Sequence, residues 1–170
     1  MAWWLAAAVV VGACGGEDAA PAGVGSSPGA AAGQAEATYQ EVAGALEAHQ
    51  VPLCPAPGEF RPAPAVEGSA AAAHFRYVDG RIYELGPCDV PLEQRGEVRV
   101  YLYEAAAQRD EAAQSSLDRN SRPTFMWTLG DRALVEEWIF DRAQVGPEFE
   151  EVAGTAHDAI SDLPGAEGVS

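Results

Sequence analysis

The residues that could do chemistry are few and poorly arranged for it. Nucleophilic catalysis needs a serine or cysteine beside a base, and the 170-residue chain has no Gly-x-Ser-x-Gly elbow. Ser115 and Ser116 fall in a polar stretch that reads as a solvent-facing helix surface. His157 and Asp158 are adjacent on an amphipathic segment. Neighbours i and i+1 on a helix do not face each other, so His157 is expected to be a solvated helix-edge residue and not a general base. The three histidines, His49, His74 and His157, lack zinc-ligand spacing, and no Cys-x-x-Cys is present. Glu136-Glu137 and the group Glu148, Glu150 and Glu151 bring carboxylates together, but without the alternating Asp/Asn-Gly loop of a calcium site. No metal and no cofactor is therefore expected. A carboxylate pair for glycoside hydrolysis stays open, because such residues meet in space and not in sequence. Trp127 and Trp138 are expected in the core.

Charge narrows the partners. Acidic residues number 26 against 10 basic ones, a net −16 at pH 7. Affinity for nucleic acid comes largely from neutralising phosphates, and attraction to an anionic bilayer comes from polybasic patches; this chain is suited to neither. The N-terminus offers another route to a membrane. Residues 3–13 form an uninterrupted apolar run, which as a helix would be about 16 Å long, short of the roughly 20 residues that span a bilayer. Its length fits the apolar region of a secretory signal peptide. The run ends in Val11-Gly12-Ala13-Cys14, which resembles the lipobox of bacterial lipoproteins. That resemblance implies cleavage before Cys14, a diacylglyceryl group on its thiol, and a place on the extracytoplasmic face of the cell membrane. Several buried acyl chains, at about 0.8 kcal/mol per CH₂, hold a soluble domain on a bilayer. Residues 14–35 have no aromatic side chain and are expected to form a flexible tether, with ends about 25 Å apart.

Once Cys14 is acylated, Cys54 and Cys88 remain, an even number in an exported chain. A disulfide between them is expected, stabilising the fold by about 3–4 kcal/mol in the chain-entropy model.

The elements that must position these residues follow from periodicity. Residues 36–49 carry Tyr39, Val42, Ala43 and Leu46 at helical spacing, with Pro52 as the stop. Four prolines in 55–64 exclude regular structure and leave a loop staked by Phe60. In 73–85, Asp79-Gly80 is the signal for a two-residue hairpin turn. Such a turn sets Phe75, Tyr77 and Ile82 on one face, and His74, Arg76, Arg81 and Tyr83 on a wetter one. Residues 97–104 alternate as a third strand, Val98, Val100 and Leu102 against Arg99, Tyr101 and Tyr103. An Ala-rich helix over 105–117 is followed by a second hairpin, 124–129 and 133–140, about Gly130-Asp131. A two-residue turn there places Phe125, Trp127, Leu134 and Trp138 on one face and Met126, Val135 and Ile139 on the other. Pro147 opens a last helix with the stripe Phe149, Val152, Ala153, Ala156, Ile160 and Leu163, and Pro164-Gly165 stops it.

The expected fold class is α+β: a single, largely antiparallel sheet of about five strands with helices packed on one face, in the order α-β-β-β-α-β-β-α. The folded domain is expected over 36–163, after a signal peptide at 1–13, with 164–170 a disordered tail. Residues 97–140 resemble small lipoproteins of GC-rich bacteria that have no assigned function. The shared features are Val98, Val100, Tyr101, Trp127, Arg132, Leu134 and Val135, with Pro147 opening the next helix. Where those relatives have an all-aliphatic strand, this chain has Glu136 and Glu137. The resemblance supports the fold and implies no chemistry.

The expectation is thus a non-catalytic, membrane-anchored lipoprotein domain of the cell envelope that binds an envelope protein or an exported ligand. Tyr83, Arg99, Tyr101 and Tyr103, read as a wet aromatic face, are the candidate contact surface. The alternatives are an envelope hydrolase using loop carboxylates, which a cleft holding two carboxyls would favour, and a purely structural surface protein.

Overall fold

The computed structural model describes residues 28–54, 76–91, 95–118, 123–139 and 147–170. The expected signal peptide, Cys14, most of the tether, the proline-rich loop with Phe60, and the residues His74 and Phe75 lie outside this set.

The described elements are α1 (Pro28–Ala48), β1 (Asp79–Leu85), β2 (Gly96–Leu102), α2 (Ala106–Leu117), β3 (Phe125–Leu129), β4 (Ala133–Ile139), α3 (Pro147–Ser161) and β5 (Ala166–Gly168). The strands form one antiparallel sheet in the order β1-β2-β4-β3-β5. The described residues therefore form an α+β fold with a single five-stranded sheet.

Both faces of that sheet are covered, and here the expectation of helices on one face is corrected. On the first face α1 and α3 pack their stripes, Tyr39, Val42 and Leu46 with Phe149, Ala153, Ala156 and Ile160, onto Val98, Val100, Leu102, Trp127 and Val135. Each fully buried aliphatic side chain there contributes about 1.5–3 kcal/mol. On the second face α2 lays Ala112 and Ala113 over Tyr77, Tyr101, Tyr103, Met126 and Leu134. The small alanines let the helix approach closely enough to bury three tyrosine rings.

Helix α1 begins at Pro28, inside the segment expected to be a tether. It ends at Ala48, four residues before Pro52, by a Schellman arrangement: Gln50 takes φ +59°, its N–H bonds to the Glu47 carbonyl, and the Val51 N–H reaches back to the Leu46 carbonyl. Val51 and Leu46 share the first core, the apolar contact this cap favours. The chain then runs past the end of β1, with a bridge between Leu53 and Leu85 and the Cys54 N–H on the Glu84 carbonyl. The Cys54–Cys88 disulfide closes this corner, Cα to Cα 5.3 Å.

Three local readings change. Asp79-Gly80 is no turn: both residues lie in β1, with Gly80 opposite Tyr101, and the first hairpin is instead β1–β2. Gly80 is not among the residues at positive φ, so the dipeptide's turn preference has yielded to pairing along the whole strand. The β3–β4 hairpin is present, but its turn has three residues, Gly130, Asp131 and Arg132, because Leu129 pairs with Ala133. Gly130 supplies φ +57°, and the Arg109 guanidinium on α2 donates to its carbonyl. A one-residue shift flips every side chain, so Trp127 faces α3 beside Val135 while Trp138 faces the other way. Finally, 164–170 is not a disordered tail. Gly165, at φ +79°, turns the chain back from α3, and β5 pairs with β3.

Candidate functional site

Glu136 and Glu137 stand at consecutive positions of β4, so the strand's period of two sends them to opposite layers. Both are buried, at 0% and 1% exposure. A buried carboxylate is costly unless donors surround it, which singles out two in one central strand.

Glu136 faces α2. The Ser116 hydroxyl donates to one carboxylate oxygen and the Trp138 indole N–H to the other, each at 2.8 Å. Nearby, Arg99 is held by Glu97 at 2.6 Å and lies over the Trp138 ring, 4.8 Å from its centroid. Burial, and then the Glu136 charge, push the Tyr101 hydroxyl well above the usual tyrosine range. Although burial works against the Arg99 charge, Tyr101 and Glu97 offset it and hold the guanidinium above its usual value.

This layer contains three of the four residues expected to form a wet contact face, but not as such. Tyr101 and Tyr103 are 2% and 0% exposed, packed beneath α2. Tyr83 points to the opposite layer, where its hydroxyl donates to the Tyr39 carbonyl at 2.7 Å. Only Arg99 is partly exposed. These rings hold the layers together; they do not present a shared surface.

Glu137 faces α3. Its register partners are Phe125 on β3 and Val98 on β2. His157, on the third turn of α3, sets Nδ1 4.0 Å from Glu137 Oε2, and its ring packs on Phe125 and Trp127 with centroids 4.2 and 5.1 Å away. His157 is thus half-buried in an aromatic corner and faces Glu137, where the sequence pointed to a solvated edge beside Asp158. A cavity of about 240 Å³ opens here, lined by Phe125, Glu137, Ile139, Phe149, Glu150, Ala153 and Gly154. Ala153 and Gly154 leave the space on α3. Gly96 seats Phe149, since a Cβ at that position would collide with the Phe149 ring.

A larger groove of about 580 Å³ lies at the other end of the sheet, between α1 and the β3–β4 turn. Its one basic side chain among the described lining residues is engaged: Arg132 donates to the Tyr103 carbonyl at 2.6 Å and to Gln34 at 3.4 Å. Among the described residues the exposed large hydrophobics are Val78 at 45% and Phe125 at 43%. Val78 lines the groove and Phe125 lines the smaller cavity. Of the two, only the smaller has a fully buried charged side chain in its wall.

Among the described residues no three His, Cys, Asp or Glu side chains gather to hold a metal ion, and no helix is long and apolar enough to cross a membrane. Comparison with family models, curated proteins and solved structures found no match to this chain.

Proposed function

We propose that the chain is a lipid-anchored, extracytoplasmic and non-catalytic binding domain, acylated at Cys14, that presents the Phe125–Glu137 cavity to an exported ligand. The observation that carries the binding reading is that cavity: an aromatic ring left on the surface at its lip, and a buried carboxylate in its wall. Buried charge and exposed apolar surface both cost stability, and their coincidence at one concavity is what a recognition site requires. No serine, threonine or cysteine is among the described residues lining it, which supports binding over nucleophilic chemistry. The anchor rests on the Val11-Gly12-Ala13-Cys14 motif, and the Cys54–Cys88 bridge suits the oxidising compartment that the anchor implies.

Metabolic labelling with a clickable fatty acid tests the anchor. The chain is expected to take the label and partition with membranes, and Cys14→Ser to do neither; equal labelling of both would refute it. A second reading, a hydrolase using carboxylates, is favoured by Glu137 and Glu150 lining the same cavity. It requires turnover of glycoside or ester substrates that Glu137→Gln abolishes, whereas the binding reading requires none.

A further inference from the structure

We propose that the groove between α1 and the β3–β4 turn takes a short extended segment of a partner protein, one that sets a lysine or arginine beside a small apolar residue. This surface is separate from the Phe125–Glu137 cavity, and its test neither needs nor decides the reading of that cavity.

Shape sets the length of the occupant. Gln34, Thr38 and Glu41 line one wall along a single face of α1, and Gln34 and Glu41 stand about 10 Å apart along the helix axis. An extended chain covers that distance in about three residues. The volume of about 580 Å³ is that of a ligand-sized cleft, so a few side chains enter it and a folded domain does not.

The edge strand sets the chemistry. Consecutive strand residues point to opposite faces, yet Val78 and Asp79 both line the groove. A bulge accounts for this: the Val78 N–H reaches the Leu102 carbonyl at 2.7 Å while Asp79 pairs with Leu102, so two residues oppose one. The bulge thus sets an exposed apolar side chain, Val78 at 45%, next to a carboxylate that the Gly80 N–H fixes at 2.9 Å. Beneath them Leu102, Leu129 and Ala133 form a buried apolar floor.

Charge complementarity names the partner. Glu41, Asp79 and Asp131 line the groove as exposed residues, open to solvent. Among the described residues none of these three is in an ion pair, whereas Arg76, Arg81, Arg95, Arg99 and Arg109 each meet a carboxylate elsewhere. Arg132 is turned to the Tyr103 carbonyl and Gln34. An acidic segment would therefore meet like charge, and a basic one opposite charge. Exposed ion pairs are individually weak, so the apolar floor and the carboxylates must act together. A bare divalent cation fits less well: calcium wants six to eight oxygens, and among the described residues no three acidic, histidine or cysteine side chains gather to hold a metal ion.

The test is a titration of the full-length chain, followed through the amide signals of Gly130 and Asp131. The probes are the end-blocked peptide Ala-Arg-Val-Arg-Ala, its Gln and Glu counterparts, 1,5-diaminopentane and calcium chloride, at matched ionic strength. The Arg peptide is expected to saturate with a dissociation constant on the order of 0.1 mM. The Gln peptide and the diamine, which matches the charge without the apolar residue, should bind at least tenfold more weakly, and the Glu peptide and calcium not at all. Glu41→Gln and Asp131→Asn, both at exposed positions, should each cost about threefold, and together about tenfold. Val78→Ser should cost about threefold. Glu47→Gln, the same change at an exposed position of α1 outside the groove, should leave binding unchanged. Equal binding of the Gln or Glu peptide removes the charge recognition, and equal binding of the diamine removes the apolar half. Calcium binding points to a metal site instead, and a Glu47→Gln loss equal to that of Glu41→Gln reduces the effect to the net charge of −16. Any of these overturns the proposal, as does an Arg peptide that does not saturate.

Discussion

Two neighbouring glutamates on one strand have been given opposite tasks. Glu136 is enclosed by the α2 layer, with the Ser116 hydroxyl and the Trp138 indole donating to its two oxygens. Glu137, one residue on, lies behind a cavity bounded by Phe125 and Phe149, both its oxygens buried, with His157 at 4.0 Å. Their residue type, strand and burial are the same. What differs is the layer each meets: a short helix with a serine placed to donate, or a longer helix whose small residues leave a space. A buried charge with dedicated donors organises a core.

That contrast can be broken most forcefully at Glu136. Glu136→Leu keeps the volume and removes the acceptor, leaving the buried Ser116 hydroxyl and the Trp138 N–H without it. The expected loss is about 3 kcal/mol, read as a lower urea midpoint; a loss under 1 kcal/mol would show that the α2 layer does not depend on this carboxylate. The other layer is probed by Gly96→Ala, whose added methyl collides with Phe149. Overpacking of this kind costs about 1–3 kcal/mol, read as a lower urea midpoint.

Alkaline titration separates the layers of the two glutamates. Tyr101 is raised by burial and then by Glu136, while Tyr39 and Tyr83, in the other layer, are raised chiefly by burial. For each, the folded-state value lies above the unfolded one. Stability from these groups is therefore intact below about pH 10 and falls as the pH rises further, by about 1.4 kcal/mol per unit for each tyrosine. Glu136→Gln should bring the Tyr101 transition, followed by carbon-13 signals of its ring, down toward the ordinary range. Glu137→Gln should leave it in place, and an equal shift in both variants would contradict the separation of layers. The smallest effect is expected at Phe125→Ala: the ring is 43% exposed but packs on His157, and its loss should cost about 1 kcal/mol, seen in thermal unfolding.

Much of this architecture was legible in the chain itself, but unevenly. Helix α3 follows from Pro147 and a stripe of large apolar residues, and strand β2 from strict alternation. The disulfide follows from two cysteines left over in a chain read as exported. The β3–β4 hairpin is where the sequence puts it but in another register, because a third turn residue, Arg132, sets Trp127 and Trp138 on opposite faces. Asp79-Gly80 misled for the opposite reason: a strong local turn signal lost to pairing with β2. Strand β5, Ala-Glu-Gly, has no strand preference of its own and forms because the α3 turn returns it to the sheet edge.

The candidate site was least legible. Glu136 and Glu137 were visible as a departure from an aliphatic strand, and the period of two already required one of them in each layer. That Glu137 would meet His157 depends on how α3 crosses the sheet, which no local pattern encodes. The aromatic face read from Tyr83, Arg99, Tyr101 and Tyr103 failed because alternation shows which residues share a side, but not whether an alanine-rich helix will cover it.

The most direct test is fatty-acid labelling of the unaltered chain beside Cys14→Ser. The account expects label and membrane partition for the first and neither for the second. Label on both, or on neither, would contradict it.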